Sequence, residues 1–258
     1  MIAGNWKMNL TVGQASLLVQ RLHERIQSHK DIEVVLAPTM LQLQPLSVQL
    51  DRRKFRLAAQ NAYYKDEGAY TGEVSFTMLR NLVTYTLVGH SERRHIFNET
   101  LDEVTQKVAA AYRNGIIPIL CVGETKIERL SKETSQVLHD QVVSALANVT
   151  SEEVQDIVVA YEPVWAIGTG DSAKPHDVAT AARVIKHNIA ELYGAKTAES
   201  VRILYGGSVS ADTATGYLRL PEIDGLLVGG ASLNYHSFSD IVDSAYRVKR
   251  NIQTVRDI

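Results

Sequence analysis

Eight short runs rich in β-branched and apolar residues punctuate the chain, at 2–4, 33–36, 57–60, 84–88, 116–122, 156–161, 201–205 and 225–228. Several are apolar throughout instead of alternating, as parallel strands covered on both faces are. Helical patterns lie between them. Ala15, Leu18, Leu22 and Ile26 step by three and four, as do Leu101, Val104, Val108 and Ala111, and Val178, Ala182, Ile185, Ile189 and Leu192. Thr100 with Glu103 reads as a capping box, and Gly115 and Gly194 stand where helices need a C-cap. The alternation has no linker or low-complexity break, so residues 1–258 are expected to form one α/β domain with a parallel sheet. An open doubly wound sheet gathers its ligand at one crevice, whereas a closed barrel brings all eight strand ends to one face. The chemistry-bearing residues follow the first, fourth, sixth, seventh and eighth runs. That scatter favours a closed (β/α)8 barrel inside an outer ring of helices.

The sixth run ends in Ala-Tyr-Glu-Pro-Val-Trp-Ala-Ile-Gly-Thr-Gly, residues 160–170. Glu162 stands at the strand end, and Pro163 stops the strand because it has no N–H to donate. The apolar stretch Val164, Trp165, Ala166 and Ile167 follows, then Gly168, Thr169 and Gly170. A carboxylate under an apolar flap, between a stiff and a soft hinge, suits proton transfer shielded from water. Read structurally, the same stretch is a strand that stops at proline and packs a tryptophan on the core. After the first run come Asn5 and Lys7, a polar side chain and a cation able to meet a phosphate or a developing oxyanion. After the fourth come His90, Ser91 and Glu92. His90 sits where a strand gives way to a helix, and the positive end of that helix disfavours imidazolium. A histidine satisfied by backbone is the competing reading there.

Tyr205-Gly206-Gly207-Ser208 and Val228-Gly229-Gly230-Ala231 follow consecutive strands at equivalent places. Glycine lets the backbone approach a ligand, and the loops after strands seven and eight of barrels recurrently hold phosphate. Gly168-Thr-Gly-Asp-Ser-Ala173 matches a dinucleotide fingerprint by spelling. It does not join a strand directly to a helix, so nucleotide binding is rejected.

Lys plus Arg (27) nearly balance Asp plus Glu (29), and the pairs Arg52–Arg53 and Arg93–Arg94 are too short for a basic stripe. No nucleic-acid partner is expected. No apolar run approaches the ~20 residues that cross a bilayer, so no membrane partner is expected either. The single cysteine, Cys121, lies inside an apolar run, is expected to be buried and inert, and fits a reducing, cytoplasmic setting. The histidines show no metal-ligand spacing.

Taken together, Asn5 to Asn9, Gly89 to Arg94, Cys121 to Thr125, Tyr161 to Gly170, Tyr205 to Val209 and Leu227 to Ser232 occur in one order. That series resembles the triosephosphate isomerase family over essentially the whole chain. The resemblance implies a TIM barrel that interconverts dihydroxyacetone phosphate and D-glyceraldehyde 3-phosphate through an enediolate, in glycolysis and gluconeogenesis, without metal or cofactor. It implies that Glu162 is the base, His90 the neutral electrophile, and Lys7 and Asn5 the stabilisers of enediolate and phosphate charge. Gly168, Ser208, Gly229 and Gly230 correspond to the phosphate cradle. Residues 164–173 correspond to the lid, with Pro163 at its first hinge and Tyr205 and Ser208 placed to bond it when closed. Ser91 and Glu92 stand behind the site, Glu92 near Lys7. Residues 61–73 resemble a loop that enters a partner subunit, with Tyr70, Thr71, Gly72 and Glu73 at the interface of a homodimer.

Two departures stand out. The second hinge reads Asp171-Ser172-Ala173 where the family pattern has Lys-Thr-Ala, and the first strand has few residues before Asn5. The short strand is expected to weaken pairing at the barrel seam. Two other functions compete. A barrel aldolase needs a Schiff-base lysine near a strand end, for which Lys7 is the only obvious candidate. A silent phosphate-binding scaffold has no need of both Glu162 and His90.

Overall fold

The structure is a computed structural model and describes residues 1–27, 31–167 and 172–256. Its strands are β1 (Ile2–Asn5), β2 (Val34–Ala37), β3 (Phe55–Ala59), β4 (Tyr85–Val88), β5 (Ile117–Val122), β6 (Val158–Tyr161), β7 (Arg202–Tyr205) and β8 (Gly225–Val228). They pair in sequence order as a closed, all-parallel ring. The open sheet is thereby excluded. The short first strand pairs on both sides, with Ile2 opposite Val34 and Leu226, so its expected weakness at the seam is not seen in the ladder.

Alternation along each strand divides the apolar residues into two layers. Ala3, Val35, Ala58, Leu87, Cys121 and Leu204 belong to a cluster that fills the ring. Their neighbours Ile2, Leu36, Leu57, Val88, Leu120 and Ile203 belong to a larger cluster with the helices. Each Leu or Ile buried this way contributes about 2 kcal/mol relative to exposure. Cys121 is fully buried, and burial holds its thiol well above the ordinary range, as an inert cysteine requires.

The helices follow the expected stripes with two corrections. In Val12–Arg25, Leu101–Arg113 and Pro175–Tyr193 the inner faces are buried, but Leu101 and Leu192 are exposed. Each lies at a helix end, where the stripe has turned away from the sheet. The Thr100–Glu103 capping box forms, and Gly115 (φ 70°) and Gly194 (φ 87°) adopt the left-handed backbone expected after helices. Strand boundaries differ from the runs by a residue at most places, and by two at β3 and β6. Residues Glu153–Asp156 form a 3-10 turn, so β6 starts at Val158. β3 starts at Phe55, buried opposite Val34, and ends at Ala59, releasing the Gln60 side chain toward the strand ends.

Candidate active site

The C-terminal ends of the strands open into a cavity of about 390 Å³ lined by Asn5, Lys7, His90, Glu162, Ser208, Gly229 and Gly230 among others. The cavity therefore brings together residues from five separate strand exits. Gly168, Thr169, Gly170 and Asp171 lie outside the described residues, so the middle of the expected lid is not placed.

At the first exit Lys7 takes a left-handed backbone, φ 52°, which a residue with a Cβ rarely adopts. The conformation is held from both sides. Asn5 Oδ1 accepts the Lys7 N–H at 3.0 Å, and Gln60 Nε2 donates to the Lys7 carbonyl at 2.8 Å and the Ala37 carbonyl at 2.9 Å. Lys7 Nζ then reaches Glu92 Oε1 at 2.6 Å, which fixes an ammonium at the cavity wall.

At the fourth exit His90 is the N-cap of Ser91–His95, and its Nδ1 accepts the Glu92 N–H at 3.2 Å. That amide needs a lone pair at Nδ1, so the proton of the ring sits on Nε2, 3.0 Å from Glu162 Oε1. Burial acts to lower the pKa of His90, but the Glu162 and Glu92 carboxylates together outweigh it and the net shift is upward. The facing carboxylates thus act against the positive helix end, which disfavours imidazolium. His95, at the end of the same short helix, is exposed.

At the sixth exit Glu162 is only 2% exposed. Its N–H bonds the Val122 carbonyl at 2.7 Å, and its Oε2 accepts the Ser91 N–H at 3.0 Å. Burial raises the pKa of Glu162, while His90, the Ser91 amide and Lys7 lower it and prevail. The carboxylate is thus held ionised and paired.

Pro163 (φ −63°) ends the strand, and Val164–Ala166 form a 3-10 turn. Trp165 Nε1 donates to Glu124 Oε1 at 2.9 Å, Tyr161 Oη bonds the same carboxylate at 3.1 Å, and the Arg129 guanidinium lies 4.3 Å from the Trp165 ring. The Val164 N–H bonds the Glu124 carbonyl at 3.1 Å. Beyond the undescribed residues, Tyr205 Oη accepts the Ala173 N–H at 3.4 Å and Tyr217 Oη donates to the Ala173 carbonyl at 2.8 Å. Ala166 and Ile167 continue the apolar face, Ala166 fully buried. At Gly207 an added Cβ would lie 2.1 Å from Tyr205 Oη, so only glycine permits this turn.

Sequence reasoning missed Gln60 and Glu124 as parts of the site. Glu124 carried a signal, a carboxylate directly after an apolar strand in Cys-Val-Gly-Glu-Thr. Gln60 carried none beyond its place at the end of β3.

Tyr70, Thr71, Gly72 and Glu73 are exposed at the tip of a loop braced on its own subunit. Asp66 accepts from Arg113 at 3.1 Å, from Asn114 at 3.1 Å and from Thr77 at 3.1 Å. Exposed apolar side chains on the same chain include Met8 (93%), Ile96 (67%) and Phe97 (62%).

A family model described as triosephosphate isomerase matches residues 1–245. Curated proteins named triosephosphate isomerase are similar over nearly their whole length. The one from Caldanaerobacter subterraneus subsp. tengcongensis is 44% identical over 94% of this chain and 98% of its own. Those from Dictyoglomus turgidum and Clostridium acetobutylicum are each 43% identical, over 95% and 94% of this chain and 98% of their own.

Proposed function

The chain belongs to the triosephosphate isomerase family and interconverts dihydroxyacetone phosphate and D-glyceraldehyde 3-phosphate, and from that premise we propose how its own residues divide the work. Glu162 takes the proton from the substrate carbon beside the carbonyl. His90, with its proton on Nε2, donates to the carbonyl oxygen and relays protons between the two oxygens. Lys7 and Asn5 meet the charge that develops on the enediolate and the charge of the phosphate. A carbon acid beside a carbonyl is too weak to ionise near neutrality without donors already in place, and the Lys7–Glu92 contact holds one such donor rigidly.

The observation that carries this reading is the 3.0 Å contact between His90 Nε2 and Glu162 Oε1 on the wall of the shared cavity. Base and electrophile cap each other at rest, and a substrate entering the cavity separates them. Glu162 then loses the His90 hydrogen bond that lowers its pKa, and the burial that raises it remains. Binding itself thereby increases the basicity of the carboxylate. Ser208, Gly229 and Gly230 supply the phosphate cradle together with Gly168, and residues 164–173 act as the lid, hinged beside Glu124.

The whole chain acts as one barrel domain, in the cytoplasm; among the described residues no helix is long and apolar enough to cross a membrane. Two copies associate through residues 61–73, with Tyr70, Thr71, Gly72 and Glu73 entering the partner. The exposed loop tip and the apolar Met8, Ile96 and Phe97 support that arrangement. Sedimentation at micromolar concentration should give a dimer; a fully active monomer excludes it.

A coupled assay with glyceraldehyde 3-phosphate tests the chemistry. Glu162→Asp and His90→Gln should each lower kcat by at least roughly 10²-fold. Unchanged turnover in either variant removes that residue from the mechanism.

A further inference from the structure

Arg94 projects from the helix Ser91–His95 beneath the proton-transfer pair. Its Nε donates to the Gly89 carbonyl at 2.7 Å and its Nη2 to the Cys121 carbonyl at 3.0 Å. The two carbonyls belong to adjacent strands: Gly89 directly follows β4, and Cys121 lies in β5. Gly89 is built for this contact. Its φ is 68°, and an added Cβ would stand 2.6 Å from Arg94 Nη2. Arg94 and Glu162 line the same crevice, together with Ser91, Cys121, Gly123 and Val164.

The neighbouring Arg93 meets a carboxylate, Glu99, at 3.0 Å. Among the described residues no salt bridge reaches Arg94. The two carbonyls take hydrogens from Nε and Nη2 but do not neutralise the charge, and burial pushes its pKa down. A half-buried cation that touches no carboxylate loses hydration without a contact ion pair in return, and an uncharged side chain of similar volume removes that cost. The charge has a use elsewhere.

We propose that Arg94 is a positioning residue for the reaction: it ties the ends of β4 and β5 under His90 and Glu162, and its positive potential favours ionised Glu162 and uncharged His90. This rests on the roles given above to Glu162 and His90. The groups facing Glu162 are His90, the Ser91 amide, Lys7 and the Cys121 thiol, and those facing Arg94 are Glu99, Glu162 and Cys121. Lys7 is the other cation acting on Glu162, but it is paired with Glu92. Removing the Arg94 charge makes protonation of both Glu162 and His90 easier, so both titrate at higher pH.

The test is the pH profile of kcat/KM for the full-length enzyme, Arg94→Met and Arg94→Lys. The titration of the substrate phosphate is common to all three, so differences belong to the protein. Arg94→Met should move the acid limb up by about one pH unit and lower kcat at neutral pH roughly 10-fold. Arg94→Lys keeps the charge and loses one carbonyl bond, so its limb should stay within about 0.2 unit of wild type while its kcat falls. Arg94→Gln is the uncharged arm if the methionine variant does not fold. An uncharged variant whose profile overlays wild type, or a lysine variant shifted equally far, overturns the proposal. The Glu162→Asp and His90→Gln assays read the underlying mechanism separately, so failure of one is distinguishable from failure of the other.

Discussion

At the N-terminal end of the barrel, Arg202, Glu33 and Tyr85 close on one another. Arg202 Nη1 meets Glu33 Oε2 at 2.8 Å, Arg202 Nη2 meets Tyr85 Oη at 3.1 Å, and that hydroxyl bonds Glu33 at 2.9 Å. At the C-terminal end, Lys7, His90 and Glu162 are also paired, yet the same atoms line a cavity of about 390 Å³. The chemical inventory is similar at both ends: a cation, a carboxylate and a ring that carries a proton. One trio spends its hydrogen-bonding capacity internally, and the other can exchange partners with a ligand. Reactivity here comes from accessible space and backbone placement more than from residue type.

The sharpest way to break that contrast is Lys7→Met. It should cut kcat by roughly 10²- to 10³-fold, as loss of one fixed donor to a developing oxyanion does. Circular dichroism should show the fold intact, because Lys7 belongs to neither apolar cluster. Activity within a few-fold of wild type would mean that the ammonium only neutralises Glu92. The mildest change lies at the other end. Glu33→Gln should cost about 1 kcal/mol, because the pair is one-third exposed and screened by solvent. Its kcat and KM should stay within about twofold of wild type, since the substitution lies far from the forming charge. A large loss of turnover there would show that the two ends are coupled through the strands.

The strands and the exits that carry Lys7, His90 and Glu162 were legible because each depends on a local signal: an apolar run, then a polar residue, then a glycine or proline. The supports were not legible. Gln60 grips Lys7 from 53 positions away, and Trp165 reaches Glu124 across 41. Such contacts exist only once the ring closes and brings successive strand ends side by side. Leu101 and Leu192 illustrate the opposite error, in which a correct helical period was extended one residue past the surface it covers. The resting pairing of His90 with Glu162 was also invisible, because it depends on where a side chain turns after the strand has ended.

The left-handed backbone at Lys7 sets a constraint on any redesign of this enzyme. Glycine or asparagine would sit there with less strain, and a gain of about 1 kcal/mol in stability is the ordinary reward for such a change. Either substitution discards the ammonium. A thermostabilising screen scored on melting temperature alone would therefore be drawn toward position 7 and return inactive winners, whereas selection for turnover must keep this costly residue and seek robustness elsewhere.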